Sequence, residues 1–123
     1  MNAEKLMADG YKIENAEIKS ADLSMEDHGC FTLYMALEGS GWGCCYGGYC
    51  IGKGYLGAKE FEGSSKGNEY IMRIMDTVGV SKFSDLKGKY VRVAVKGWGD
   101  TVKIIGNILK DQWFSPEEFF HGQ

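Results

Sequence analysis

Long apolar runs are missing from this 123-residue chain, and nothing in it approaches the roughly 18 consecutive apolar residues of a membrane span. The opening MNAEKLMADG lacks the apolar core of a secretory signal. These two absences predict a cytoplasmic protein whose four cysteines are reduced thiols. Positive charge is also not in excess: 14 Lys and Arg against 17 Asp and Glu leave a net charge of -3. That balance argues against non-specific nucleic-acid binding, which depends on phosphate neutralisation, but leaves room for a local basic face. Proline occurs once, whereas glycine occurs 18 times without low-complexity repeats. Such a ratio predicts tight turns, bulges and close backbone approaches.

Catalytic and cofactor motifs are lacking too. The runs GSGWG and GGYCIGKG are glycine-rich, but they have neither the Gly-Lys-Ser/Thr of a phosphate loop nor a strand–helix–strand setting. The cysteine run CCYGGYC has no paired C-x-x-C knuckles, and Cys44 and Cys45 point to opposite faces of any strand they share. The expected role of the cysteines is packing as small apolar residues, with a cross-strand Cys30–Cys50 disulfide as the alternative. Glu26-Asp27-His28 sets a carboxylate beside a histidine, yet no nucleophile accompanies it, and polar turn chemistry accounts for it. His121 reads as a solvated residue near the terminus. No catalytic residue, metal ligand or cofactor site is expected.

What is present centres on residues 30–51, CFTLYMALEGSGWGCCYGGYCI. Residues 30–38 alternate cleanly, with Phe31, Leu33, Met35 and Leu37 on one face and Cys30, Thr32, Tyr34, Ala36 and Glu38 on the other. A three-residue Gly39-Ser40-Gly41 loop would set Glu38 opposite Trp42, Tyr34 opposite Tyr46 and Cys30 opposite Cys50. A preceding strand over 13–23 carries Ile13, Ala16, Ile18, Ala21 and Leu23, with its period broken by a bulge near Asn15-Ala16. Residues 1–10 form either a short helix or a loose extension.

Residues 52–67 read as a long glycine- and lysine-rich connection. A helix follows over 68–78, its apolar stripe formed by Tyr70, Ile71, Ile74, Met75 and Val78. Ser65 or Asn68 would cap its start, and Gly79 suits its left-handed end. Strands are expected over 89–96 and 101–109, joined by Gly97-Trp98-Gly99-Asp100. Ser115, Pro116 and Glu118 form a capping box, with Phe114 and Phe119 as a hydrophobic staple around a short C-terminal helical turn. The whole is one α+β domain, residues 1–123, in the order β-β-β-α-β-β. It predicts a five-stranded antiparallel curved sheet or a partly open OB-like barrel.

One candidate surface follows from the proposed register. Trp42, Tyr34 and Tyr46 would share a face of the first hairpin, Tyr90, Arg92 and Lys96 one face of the fourth strand, and Trp98 a loop tip. Aromatic rings beside cations on a sheet can stack bases and hold phosphates. The same residues can anchor a protein interface.

Several strings carry a resemblance beyond this chemistry: IENAEI, MEDHGCFTLYMALEGSGWG, YGGYCIG, MRIMDTVGV, LKGKYVRV, GNILKDQWF and PEEFF. Together, across residues 13–119, they resemble a family of small uncharacterised proteins encoded by bacteriophages and prophages. The resemblance implies an accessory protein in a bacterial host cytoplasm, binding and modulating or inhibiting a host protein complex such as a defence component. It supplies no catalytic residues. The expected function is therefore non-enzymatic protein binding, with an OB-like module for single-stranded nucleic acid or a nucleotide as the alternative. Oligomeric state stays open, with strand-edge pairing as a route to a homodimer.

Overall fold

The computed structural model describes residues 1–97 and 99–122. The chain is α+β, and its described residues form three α-helices and one antiparallel sheet of six strands that does not close into a barrel. The elements are α1 (Ala3–Ala8), β1 (Lys12–Asp27), β2 (Cys30–Gly39), β3 (Trp42–Gly47), α2 (Ser65–Val78), β4 (Tyr90–Val95), β5 (Ile104–Asn107), β6 (Trp113–Phe114) and α3 (Pro116–His121). In space the strands run β3-β2-β1-β4-β5-β6, so β3 and β6 are the edges.

The 16-residue β1 holds the sheet together. Its first half pairs with β4, Lys12 opposite Val95 through Glu17 opposite Tyr90. Its second half pairs with β2, Glu17 opposite Glu38 through Asp27 opposite Cys30. The register shifts between Ile18 and Ser20 rather than at Asn15-Ala16. Lys19 is the extra residue that lets Ala16 and Ile18 before it, and Ala21 after it, meet the same core. The turn to β2 is His28-Gly29, and both residues have positive φ, 53° and 79°. Two consecutive left-handed residues give the hairpin a twist matching its strands.

The predicted alternation of β2 holds: Leu33, Met35 and Leu37 are buried while Tyr34 and Glu38 are exposed. The predicted pairing with β3 is off by one residue. Gly39 lies opposite Trp42, so the loop is only Ser40-Gly41, and Met35 faces Tyr46. A one-residue slip exchanges faces. Trp42, Cys44 and Tyr46 therefore turn toward the core, and Tyr34 sits opposite Gly47. Gly39 makes this register fit, because a Cβ there would collide with the Trp42 indole.

The strand count and two boundaries also differ from expectation. Trp113–Phe114 forms a sixth strand, pairing Phe114 with Ile105 and Trp113 with Gly106. Two residues carry no legible period, which hides such a strand from pattern reading. Regular pairing in β5 starts only at Ile104, leaving 96–103 as connection. The first ten residues do contain a helix, capped by the Asn2 side chain, which accepts from the Lys5 amide. The main helix begins at Ser65, and its cap is Ser64, whose hydroxyl accepts from the Gly67 amide at 2.9 Å.

Helix α2 covers the core face, where Ile18, Leu33, Tyr70, Ile74, Val91, Val93 and Ile105 are fully buried. Its left-handed end at Gly79 is as expected. Asn107 secures that end: its amide donates to the Thr77 carbonyl at 2.9 Å, while its oxygen accepts from the Leu109 and Lys110 amides. Half of the expected capping box forms, the Ser115 hydroxyl accepting from the Glu118 amide, and Phe119 packs on Phe114 with centroids 5.7 Å apart. On the sheet's other face, Leu6 of α1 packs with Ala94 and Ile104, flanked by Tyr11 and Trp113. The Trp113 indole N–H and the Ala3 amide both donate to Asp111, pulling its carboxyl below the usual range.

Gly67 offers a test in which two effects oppose. Alanine would favour an exposed helix position by about 1 kcal/mol. Here, however, a Cβ would lie 2.7 Å from both Cβ and the carbonyl oxygen of buried Ile51. Overpacking of that kind costs about 1–3 kcal/mol and prevails. Gly67→Ala is expected to lower the urea midpoint; a raised midpoint would show that Ile51 yields freely.

Candidate functional site

Beyond the cover of α2, the core face ends in a cleft of about 690 Å³. Lys12 and Glu14 of β1 form one side, with Val95 at the end of β4. Lys12 and Val95 are cross-strand partners, and Glu14 opposes buried Val93, so these side chains continue the face that α2 packs on. The second wall is Ser40 with Trp42, Gly43, Cys44 and Cys45 of β3. The third is the β4–β5 connection, contributing Lys96, Gly97, Gly99, Asp100, Thr101 and buried Val102. The result is an apolar floor of Trp42, Val95 and Val102 with Lys12, Glu14 and Asp100 around it, while the Lys96 ammonium turns to the other face of the sheet, 4.9 Å from the Tyr11 ring centroid.

The predicted surface residues separate into three groups. Trp42 lines this cleft together with Lys96, whose ammonium nevertheless lies over Tyr11 on the other face, and Trp98, which lies outside the described residues, is flanked in sequence by two of the lining glycines. Tyr46 is 1% exposed and belongs to the core, which corrects its assignment to a surface platform. Tyr34, Tyr90 and Arg92 point to the opposite face of the sheet from Trp42, as the pairing register dictates. Tyr34 lays its ring over Gly48, and Tyr90 is exposed. Arg92 is committed internally: its Nε donates to the Asn107 carbonyl at 2.8 Å and its Nη2 to the Lys110 carbonyl at 2.7 Å. Its guanidinium also sits 4.7 Å from the Trp113 ring centroid. The sequence did not single out Lys12, Glu14, Asp100 or Val102 because their meeting depends on long-range pairing.

The cysteines also divide. Cys30 and Cys50 form a disulfide across 5.2 Å of Cα separation, in place of the expected reduced thiols. The bridge fastens the start of β2 to the segment beyond Gly47 and Gly48, both of positive φ. Cys44 and Cys45 are free, the first half-buried and the second exposed. Burial, and secondarily the neighbouring Cys45, push the Cys44 thiol above its usual pKa. A thiol held protonated is a poor nucleophile at neutral pH. Tyr46 and Tyr70 are likewise pushed up by burial, and neither hydroxyl has a hydrogen-bond partner among the described residues.

His28 Nδ1 lies 3.0 Å from Asp27 Oδ1, with the histidine almost wholly exposed in its turn. Among the described residues, no group of three or more His, Cys, Asp and Glu side chains is placed to hold a metal ion. No described helix is long and apolar enough to cross a membrane. Searches against protein-family models, curated proteins and solved structures match nothing.

Thiol reactivity checks this arrangement. Folded protein handled without reductant should take up iodoacetamide first at Cys45, with Cys44 lagging and gaining only as pH rises. Cys30 and Cys50 should label only after reduction. Equal labelling of all four thiols in the unreduced, folded protein would contradict both the bridge and the burial of Cys44.

Proposed function

We propose that this chain is a non-enzymatic binding protein that grips a segment of a partner protein in the Trp42 cleft. The phage-type setting implied by its motifs makes that partner a host protein complex in the bacterial cytoplasm, whose action the chain modulates or blocks. The observation that carries the reading is the cleft itself. Its volume falls within the roughly 300–1,000 Å³ of binding pockets, its floor is apolar, and a few polar groups converge on it. Tryptophan at the centre of such a site is the residue type that most often anchors an interface.

Two observations favour a protein partner over nucleic acid. The cleft's charged groups are Lys12 against Glu14 and Asp100, so they generate no net attraction for a polyphosphate. The aromatic–cation platform that would stack bases is dispersed, with Tyr46 buried and Arg92 held by two carbonyls.

Affinity capture from a bacterial host lysate, read by mass spectrometry, tests this reading. The wild type should retain a defined host protein, and Trp42→Ala should retain about tenfold less, a loss of about 1.4 kcal/mol. The charge reversals Lys12→Glu and Asp100→Lys should also weaken retention without changing the thermal melt. Leu109→Ala, at an 89% exposed site on the β5–β6 connection, should behave as wild type. Undiminished capture by the cleft variants would overturn the assignment. So would strong, salt-sensitive quenching of tryptophan fluorescence by a single-stranded oligonucleotide.

A further inference from the structure

The two edges of the sheet are protected very differently. Folded proteins blunt exposed strand edges with short strands, lysine, proline or bulges, because unpaired backbone groups recruit other chains. At one edge β6 is only two residues long, and Pro116 follows two residues after it. At the other edge β3 reads WGCCYG, with no charge and no proline, and among the described residues it pairs with β2 alone. Its four consecutive residues Trp42, Gly43, Cys44 and Cys45 all line the cleft. Alternate strand residues point to opposite faces, so a strand meeting a cleft through consecutive residues presents its backbone edge to it. The opposite wall is a run of connecting backbone, Gly97 with Gly99, Asp100 and Thr101.

We propose that the partner segment binds as an extended strand, adding itself to the unguarded edge of β3. The inference rests on the reading that the cleft holds a protein partner, and it specifies how. Main-chain hydrogen bonds to β3 would supply affinity, and alternate side chains would supply selectivity. The fitting peptide places a bulky apolar side chain on Trp42, Val95 and Val102. Two residues away on the same face it carries charge: an acid suits Lys12 and a base suits Glu14, which are themselves two residues apart on β1. The left-handed Gly47 and Gly48 end the regular edge, so the pairing segment is short.

The test uses random peptides of about ten residues displayed on yeast, long enough to exceed a typical strand. The best binder is synthesised and then N-methylated one residue at a time, with the wild-type protein as target. Strand addition predicts about tenfold weaker binding at every second residue, because only alternate amides face the neighbouring strand. It also predicts about tenfold slower hydrogen exchange within 42–46 when the peptide is bound, and loss of binding in Trp42→Ala. Peptides that need Trp42 but tolerate N-methylation at all positions and leave 42–46 unprotected would overturn strand addition while leaving the cleft reading intact. A library yielding no binder that depends on Trp42 would overturn both.

Discussion

A single strand with two partners underlies the rest of this structure. β1 spends its first six residues on β4 and the remainder on β2, and the exchange occurs at Glu17 and Ile18. Glu17 is paired on both sides, while the Ile18 amide donates to the Lys89 carbonyl and its carbonyl accepts from the Gly88 amide. The partners are offset along β1, so each half of the strand is paired on one side only among the described residues. The offset opens the cleft. On β2's side the hairpin turns back before reaching Lys12 and Glu14, leaving room beside them that α2 does not fill. The Lys19 bulge makes the arrangement compatible with one continuous core, because without it the second half of β1 would show its polar face to Leu33 and Met35.

Close backbone approach is the second organising theme, and it explains where glycine is needed. Gly39 accommodates the Trp42 ring, Gly106 accommodates Trp113, and Gly67 lets α2 settle on Ile51. Each is a place where a side chain would push two elements apart. The Cys30–Cys50 bridge adds a covalent tie where the hairpin passes into the long connection. Beyond it Lys53 and Glu62 exchange backbone hydrogen bonds at 2.9 Å, giving the connection a closed base.

Much of this was legible in the residues. The alternation of β2 and β4, the apolar stripe of α2, the Gly79 end and the Ser115 cap with Pro116 behind it are local signals, and the structure follows them. The misses have a common cause, since pairing partners and loop length are not local. Gly39-Ser40-Gly41 is compatible with a two- or three-residue loop, and the choice between them moves Tyr46 from the surface to the core. β6 is too short to show a period and exists only because β5 offers it an edge. At the candidate site, Trp42 was recognisable by type. Its neighbours Lys12, Glu14 and Asp100 are ordinary charged residues until the sheet brings them together.

Asn107 carries a consequence for motion. Its one side chain joins the last turn of α2 to the connection after β5, and it is itself buried. Fraying at that end of the helix would strip several polar contacts at once, in a site closed to water. The opposite end rests on a serine cap and a bare glycine against Ile51. The helix is thus fastened at both ends by different means, hydrogen bonds at Asn107 and close packing of Gly67 on Ile51, so the long connection is expected to be held still where it enters the helix.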